Sequence, residues 1–209
     1  MIGDILMKLL FFDTETTDLK PGNICQLSYI IVDTNTKPQT TIGKNFFFTV
    51  EEMSENAQAV HGFSLEQLYD LSEGKYFEDS FEEFINDFLQ CDVVIGHNVQ
   101  FDIKFLKSEL EFLGVDFNPR HVFCTMGYYK EICQAKNARG MLKNPSLGEL
   151  INFLRLKEDY IQGKCTDLFG TTSNYHDARY DTTCAYLAVI HGIKTGFIPP
   201  KYFSAMTEK

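Results

Sequence analysis

The feature that most restricts this 209-residue chain is an apolar run from Ile5 to Phe12 that gives way at once to Asp13 and Glu15. The run is too short to cross a bilayer. It predicts a central, buried strand that delivers two acids at its end. Two further strand-like runs follow, Cys25 to Asp33 and Asn45 to Val50, separated by a turn near Lys37 and Pro38. Together they predict an antiparallel meander. Beyond them the pattern alternates. Helices are predicted over 64–71 and 78–89, the second with Phe81, Phe84, Ile85 and Phe88 on one stripe. A short strand over 92–96 precedes a helix over 98–113 that Gly114 closes. A strand over 121–124 leads into a helix ending near Ala135, and Ser146 with Glu149 forms a capping box for a helix over 146–156. Residues 157–175, rich in Gly, Thr and Ser, read as a long loop, and Ala178 to His191 as the last helix. Strands first, then strands alternating with helices, predict an α/β fold with a mixed sheet covered on both faces. Residues 1–192 form the expected domain. The Pro199-Pro200 pair lies in a short tail, 193–209, with room to dock a partner.

Hydrophobic residues make up 44% of the chain, which fits a globular protein with a sizeable core. No signal-peptide pattern or membrane-length run is present, so a cytoplasmic protein is expected. Six cysteines at 25, 91, 124, 133, 165 and 184 contain no C-x-x-C pair, which argues against a zinc ribbon and for free thiols. The net charge of −10 has the wrong sign for long contacts with nucleic acid. Bound divalent cations would reverse that sign locally.

Four acids stand out by position. Asp13 and Glu15, two apart on a strand, share one face with Leu9 and Phe11. Asp102 falls on the same helical stripe as Phe105, Leu106, Leu110 and Leu113. Asp181 shares a small-residue face with Cys184, Ala185 and Ala188. Each has an ordinary explanation: a solvated strand end, a first-turn acid favoured by the helix dipole, an acid paired with a lysine or arginine. His176, five residues before Asp181, would lie about 140° away from it if both were helical. It is therefore placed in the loop before the helix, with Asp177 near the N-cap. In conjunction, four carboxylates suit two hard cations, Mg²⁺ or Mn²⁺, and a loop histidine suits a general base.

Three segments carry a resemblance. Phe12-Asp13-Thr14-Glu15-Thr16-Thr17-Asp18-Leu19, Gly96-His97-Asn98-Val99-Gln100-Phe101-Asp102 and His176-Asp177-Ala178-Arg179-Tyr180-Asp181 resemble, in order, the three motifs of the DnaQ-like DEDDh exonucleases, typified by the polymerase III epsilon subunit. Val60-His61-Gly62-Phe63 and Ser146-Leu147-Gly148-Glu149-Leu150 resemble two secondary signatures, and the likeness spans about residues 8–192. It implies an RNase H-like five-stranded sheet flanked by helices and release of nucleoside 5′-monophosphates from a 3′ end. It implies that Asp13, Glu15, Asp102 and Asp181 hold two metal ions and that His176 is the general base. Asp177 stands where a sister group carries a catalytic tyrosine. The resemblance also implies that Thr14, Thr16, Leu19, His61, Asn98 and Phe101 contact substrate. Asp18 replaces the family's usual glycine, and a left-handed turn is expected there. The long loop before His176 predicts a mobile base.

The expected substrate is a nucleic-acid 3′ end, single-stranded or frayed. Thr16 leans towards DNA, in proofreading or repair, over the RNA-trimming alternative. A DNA polymerase subunit is a second candidate partner. An inactive nucleic-acid-binding module would predict a broken acid set, and none of the acids is missing. A non-nuclease phosphoesterase would not need Phe101, whose ring suits base stacking.

Overall fold

A computed structural model describes residues 6–20 and 23–208. It consists of a five-stranded sheet in the order β3-β2-β1-β4-β5, flanked by helices on both faces. Strand β1 (Lys8–Thr16) is central. It runs antiparallel to β2 (Ile24–Asp33) and parallel to β4 (Val93–Gly96). Strand β3 (Thr40–Phe47) pairs antiparallel with β2, and β5 (Val122–Cys124) parallel with β4. Ile5, where the first strand was expected to begin, lies outside the described residues. The strand also does not end at the acids. Asp13 faces Ser28 and Glu15 faces Gln26 within the ladder, so both carboxylates are held by a paired backbone. Strand β3 starts five residues before the expected 45–50 segment and ends three before it. It is an edge strand with little fully buried surface, so its polar first half carries no apolar signature.

The helices run in chain order. α1 (Glu55–His61) and α2 (Leu65–Ser72) come first, then α3 (Phe77–Ser80), a 3₁₀ turn over 81–83 and α4 (Ile85–Leu89). α5 (Val99–Phe112), α6 (Thr125–Cys133), α7 (Leu147–Phe153), α8 (Glu158–Phe169), α9 (Ala178–Thr195) and α10 (Tyr202–Thr207) follow. Four of these depart from expectation, α10 among them because the expected tail of 193–209 is partly helical. α1 buries no residue, so it leaves no stripe to read. The helix expected over 78–89 is broken at Phe84, whose ring packs against Phe77 and Phe88 in one aromatic cluster. The predicted loop 157–175 is largely helix. α8 buries only Ile161 and Cys165, one turn apart, and its remaining polar surface hides the period.

The period-two alternation of β1 divides the core. Leu9 and Phe11 face a cluster that includes Tyr180, Cys184, Leu187 and Ala188 of α9. Leu10 and Phe12 face Val99, Ile103 and Leu106 of α5 and the phenylalanines of 77–88. The small face of α9 lets it lie close on the sheet, where the Thr182 hydroxyl donates to the Ser28 carbonyl at 3.1 Å. Residues 197–207 fold back onto the same side, burying Ile198 and Phe203. No helix among the described residues is long and apolar enough to cross a membrane.

Candidate active site

The same alternation explains where the acids meet. Asp13 and Glu15 continue the row of Leu9 and Phe11, so they point to the face that α9 covers. Asp181, in the first turn of α9, comes down onto them. One carboxylate oxygen from each of Asp13, Glu15 and Asp181 lies within 4.8 Å of the others. Asp102 belongs to α5 on the opposite face and stands outside this triad. It is tied to the β1 end through Thr14, whose backbone N–H and hydroxyl donate to Asp102 Oδ1 at 3.1 and 2.8 Å. Thr14 thus clasps strand to helix, and it also lines the substrate-sized cleft beside the acids.

The cluster is electrostatically unsatisfied. Among the described residues no lysine or arginine forms an ion pair with any of the four acids; Arg179, the nearest in sequence to Asp181, is committed to Asp177. Asp181 Oδ1 is buried with no hydrogen-bond partner. Burial, then repulsion from Asp102, Asp181 and Glu15, drives the Asp13 pKa well above the ordinary carboxylate value. Burial and Asp181 do the same to Glu15. Asp102 is pushed up to about 7 by burial, against the lowering effect of the Thr14 hydrogen bonds. Asp181 is also pushed up to about 7 by burial, opposed by the His176 N–H. Converging carboxylates without a cationic partner fit a hard divalent ion, which would satisfy the orphaned oxygen and relieve the repulsion.

His176 lies off the helix, as the spacing predicted. It is exposed, has a left-handed backbone (φ 64°), and donates its N–H to Asp181 Oδ2 at 3.3 Å. Asp177 caps α9 by accepting the Arg179 N–H at 3.0 Å. Burial alone would raise the Asp177 pKa, but hydrogen bonds from Arg179, Ser173 and Gln26 hold it below the ordinary value. Gln26, fully buried on β2, accepts the Ala178 N–H at 3.1 Å and donates to Asp177 at 3.0 Å. This clamp on the start of α9 was missed in sequence; it becomes visible only once β2 and α9 are side by side. His97 is likewise structural. Its ring nitrogens meet the Thr125 hydroxyl at 3.0 Å and the Pro145 carbonyl at 3.2 Å, and burial lowers its pKa to about 4.

Beside the triad is a cleft of about 330 Å³ between the β1 end and α1, lined in part by Glu15, Thr16, Leu19, His61 and Phe101. Leu19 is 81% exposed, available to a ligand. Burial lowers the His61 pKa, and the nearby His176 lowers it further. Asn98 does not line this cleft. It is the left-handed residue (φ 64°) that opens α5, with no side-chain cap bond. Ser54 and Asn56 line the cleft and were missed with α1. The available signal was the N-cap, since Ser54 accepts the Ala57 N–H at 3.2 Å. Asp18 is not left-handed as expected. Its Oδ1 accepts the Leu19 N–H at 2.6 Å, and its carbonyl accepts the Thr16 hydroxyl at 2.9 Å, so the turn closes without a positive φ.

A mixed sheet in this order with an acidic cluster at the end of its central strand is an RNase H-like α/β fold. Residues 10–188 match the RNase_T family, described as Exonuclease, and the chain belongs to that family. Over 111 residues it is 36% identical to DNA polymerase III subunit epsilon of Rickettsia felis, covering 51% of this chain and 46% of the relative. The epsilon subunit of Rickettsia prowazekii is 34% identical over 113 residues, with the same coverage. The match thus spans under half the length of these relatives. Among solved structures, E. coli Exonuclease I in complex with a 5cy-dA13 oligonucleotide superposes with TM-score 0.65 at 16% identity, over 95% of this chain and 42% of that one. Exonuclease I from Methylocaldum szegediense gives 0.63 at 15% identity, with the same coverage. At such identities the likeness is one of fold.

Proposed function

We propose that this protein is a divalent-cation-dependent 3′→5′ exonuclease acting on DNA ends and releasing nucleoside 5′-monophosphates. The observation that carries the reading is the buried, unpartnered Asp181 Oδ1 in the cluster of Asp13, Glu15 and Asp181, with which no lysine or arginine among the described residues forms an ion pair. Asp13, Glu15 and Asp181, with Asp102 beside them, would hold two Mg²⁺ or Mn²⁺ ions. Such ions, when bound, polarise the attacking water and stabilise the leaving oxygen. The protein's own groups do the rest. His176, at the exposed rim of the cluster, accepts the proton of the water that attacks phosphorus. Leu19 and Phe101 seat the terminal base and sugar, with Thr16 and His61 alongside. The β1 ladder and the Thr14–Asp102 clasp hold the acids in place before substrate arrives.

DNA as substrate is supported by the likeness to epsilon subunits and by the oligonucleotide bound in the Exonuclease I relative. Association with a DNA polymerase and a cytoplasmic location belong to the same proposal; the six cysteines are all free thiols. The net charge of −10 implies short, weakly processive contacts.

The test is degradation of 5′-labelled and 3′-labelled DNA and RNA strands with Mg²⁺, Mn²⁺ or chelator, comparing the wild type with Asp13→Ala and His176→Ala. Stepwise shortening of 5′-labelled DNA, abolished by chelator and by Asp13→Ala, is expected. His176→Ala should slow turnover while calorimetry shows cation binding unchanged. Activity indifferent to chelator would refute the mechanism, and faster loss of RNA would reassign the substrate.

A further inference from the structure

The segment that carries His176 is not a long free loop. Once α8 is in place, only residues 170–177 connect it to α9. Gln162, near the middle of α8, reaches across to this connection with both ends of its carboxamide. Its Nε2 donates to the Ser173 carbonyl at 2.5 Å, and its Oε1 accepts the Ser173 N–H at 3.3 Å. Glu158, one turn earlier, accepts from Gln162 Nε2 at 3.0 Å and from the Tyr180 hydroxyl at 2.6 Å, so the carboxamide is itself oriented. Beyond Ser173, Tyr175 lies against Tyr180, with ring centroids 4.8 Å apart. Its hydroxyl lies 3.6 Å from where a Cβ on Gly148 would stand. His176 follows in its left-handed conformation, with its N–H on Asp181. Gln26 grips the other side of His176 in the same two-ended manner, at Asp177 and Ala178.

We infer that Gln162 is a positioning residue for His176: its two-point grip on the Ser173 backbone fixes the base over the carboxylate cluster before substrate binds. The inference rests on the exonuclease reading above and replaces the mobile base expected of a long loop. Gln162 touches none of Asp13, Glu15, Asp102 and Asp181 and does not line the cleft, so its effect on turnover passes through the 170–177 connection that carries His176. Positioning of this kind governs turnover steeply, since a misplacement of about 1 Å can slow chemistry about 100-fold.

A double-mutant cycle tests it. Gln162→Met keeps the length and stem of the side chain but removes its hydrogen bonds to Ser173, Asn174 and Glu158. Gln162→Glu keeps the acceptor but loses the donor to the Ser173 carbonyl. Each is made in the wild-type and His176→Ala backgrounds and assayed on a 5′-labelled oligothymidylate with Mn²⁺. Calorimetric Mn²⁺ titration, thermal melting and amide exchange are measured on the same proteins. In the wild-type background both variants should lower kcat about 10-fold or more, with KM and Mn²⁺ affinity unchanged and faster exchange at the Ser173 to His176 amides. In the His176→Ala background neither should slow the enzyme further. Equal slowing in both backgrounds, no slowing, or unchanged exchange overturns the inference. If instead the wild type shows no chelator-sensitive activity, or His176→Ala is as fast as wild type, the exonuclease reading has failed. The exchange data then still report whether Gln162 holds the segment.

Discussion

Asp181→Asn should stabilise the protein in the absence of divalent cations while eliminating turnover. The folded carboxyl has a pKa of about 7 against an ordinary value of 3.8. At 1.36 kcal/mol per pKa unit, ionising it in the folded state at neutral pH costs roughly 4 kcal/mol. Burial is the main cause of that cost, and an amide keeps part of the desolvation penalty, so about 2 kcal/mol should be recovered. For a domain of this size that corresponds to a rise in Tm of about 4–8 °C. The sign follows from proton binding. A carboxyl whose folded pKa exceeds its unfolded value retains a proton in the folded state where the unfolded chain has lost it. The metal-free wild type therefore loses stability as pH rises from about 4 to about 7, and the penalty is complete above that. Melting with chelator present, from pH 4 to 8, is the assay. The advantage of Asp181→Asn should vanish near pH 4 and be full at pH 8. Saturating Mn²⁺ should reverse the order, since a cation at about 100 times its Kd stabilises the wild type by roughly 2.7 kcal/mol and has lost a ligand in the variant. A lower Tm for the variant at pH 8 without metal would refute the reasoning, because it would mean that the carboxylate already has a favourable partner.

Three further outcomes follow from the geometry. Apparent Mn²⁺ affinity should weaken as pH falls below about 7, where Asp102 and Asp181 take up protons, and calorimetric titration at pH 5.5 and 8 measures this. Thr14→Val removes the hydroxyl bond that lowers the Asp102 pKa; it should weaken Mn²⁺ binding about tenfold, about one lost charge-assisted hydrogen bond, and shift the pH midpoint upward. Gly43→Ala places a Cβ 2.7 Å from the Leu168 carbonyl oxygen, so it should lower stability by about 1–3 kcal/mol in thermal melts by forcing α8 off β3.

The contrast between what could be read early and what could not is sharpest around His176. Five residues from Asp181 cannot share a helical face with it, and this arithmetic placed the histidine in a loop. The loop's length was misread because α8 buries only Ile161 and Cys165 and shows water a continuous polar surface. α1 was missed for the same reason, and with it Ser54 and Asn56 of the cleft. The edge position of β3 likewise weakened the apolar signal that defines a strand.

The sequence alone determined the local periods: an acid pair at spacing two on a buried strand, Asp102 on an apolar stripe, Asp181 on a small-residue face. These set which side chains point inward, because backbone geometry fixes side-chain direction within each element. Only the tertiary structure decided which inward-facing acids meet. Strand alternation and the placement of α9 and α5 on opposite faces brought Asp181 onto Asp13 and Glu15. The same arrangement left Asp102 joined through Thr14. Long-range contacts such as Gln26 to Asp177 and Gln162 to Ser173 join elements that no local pattern relates, so they became legible only when the chain was folded.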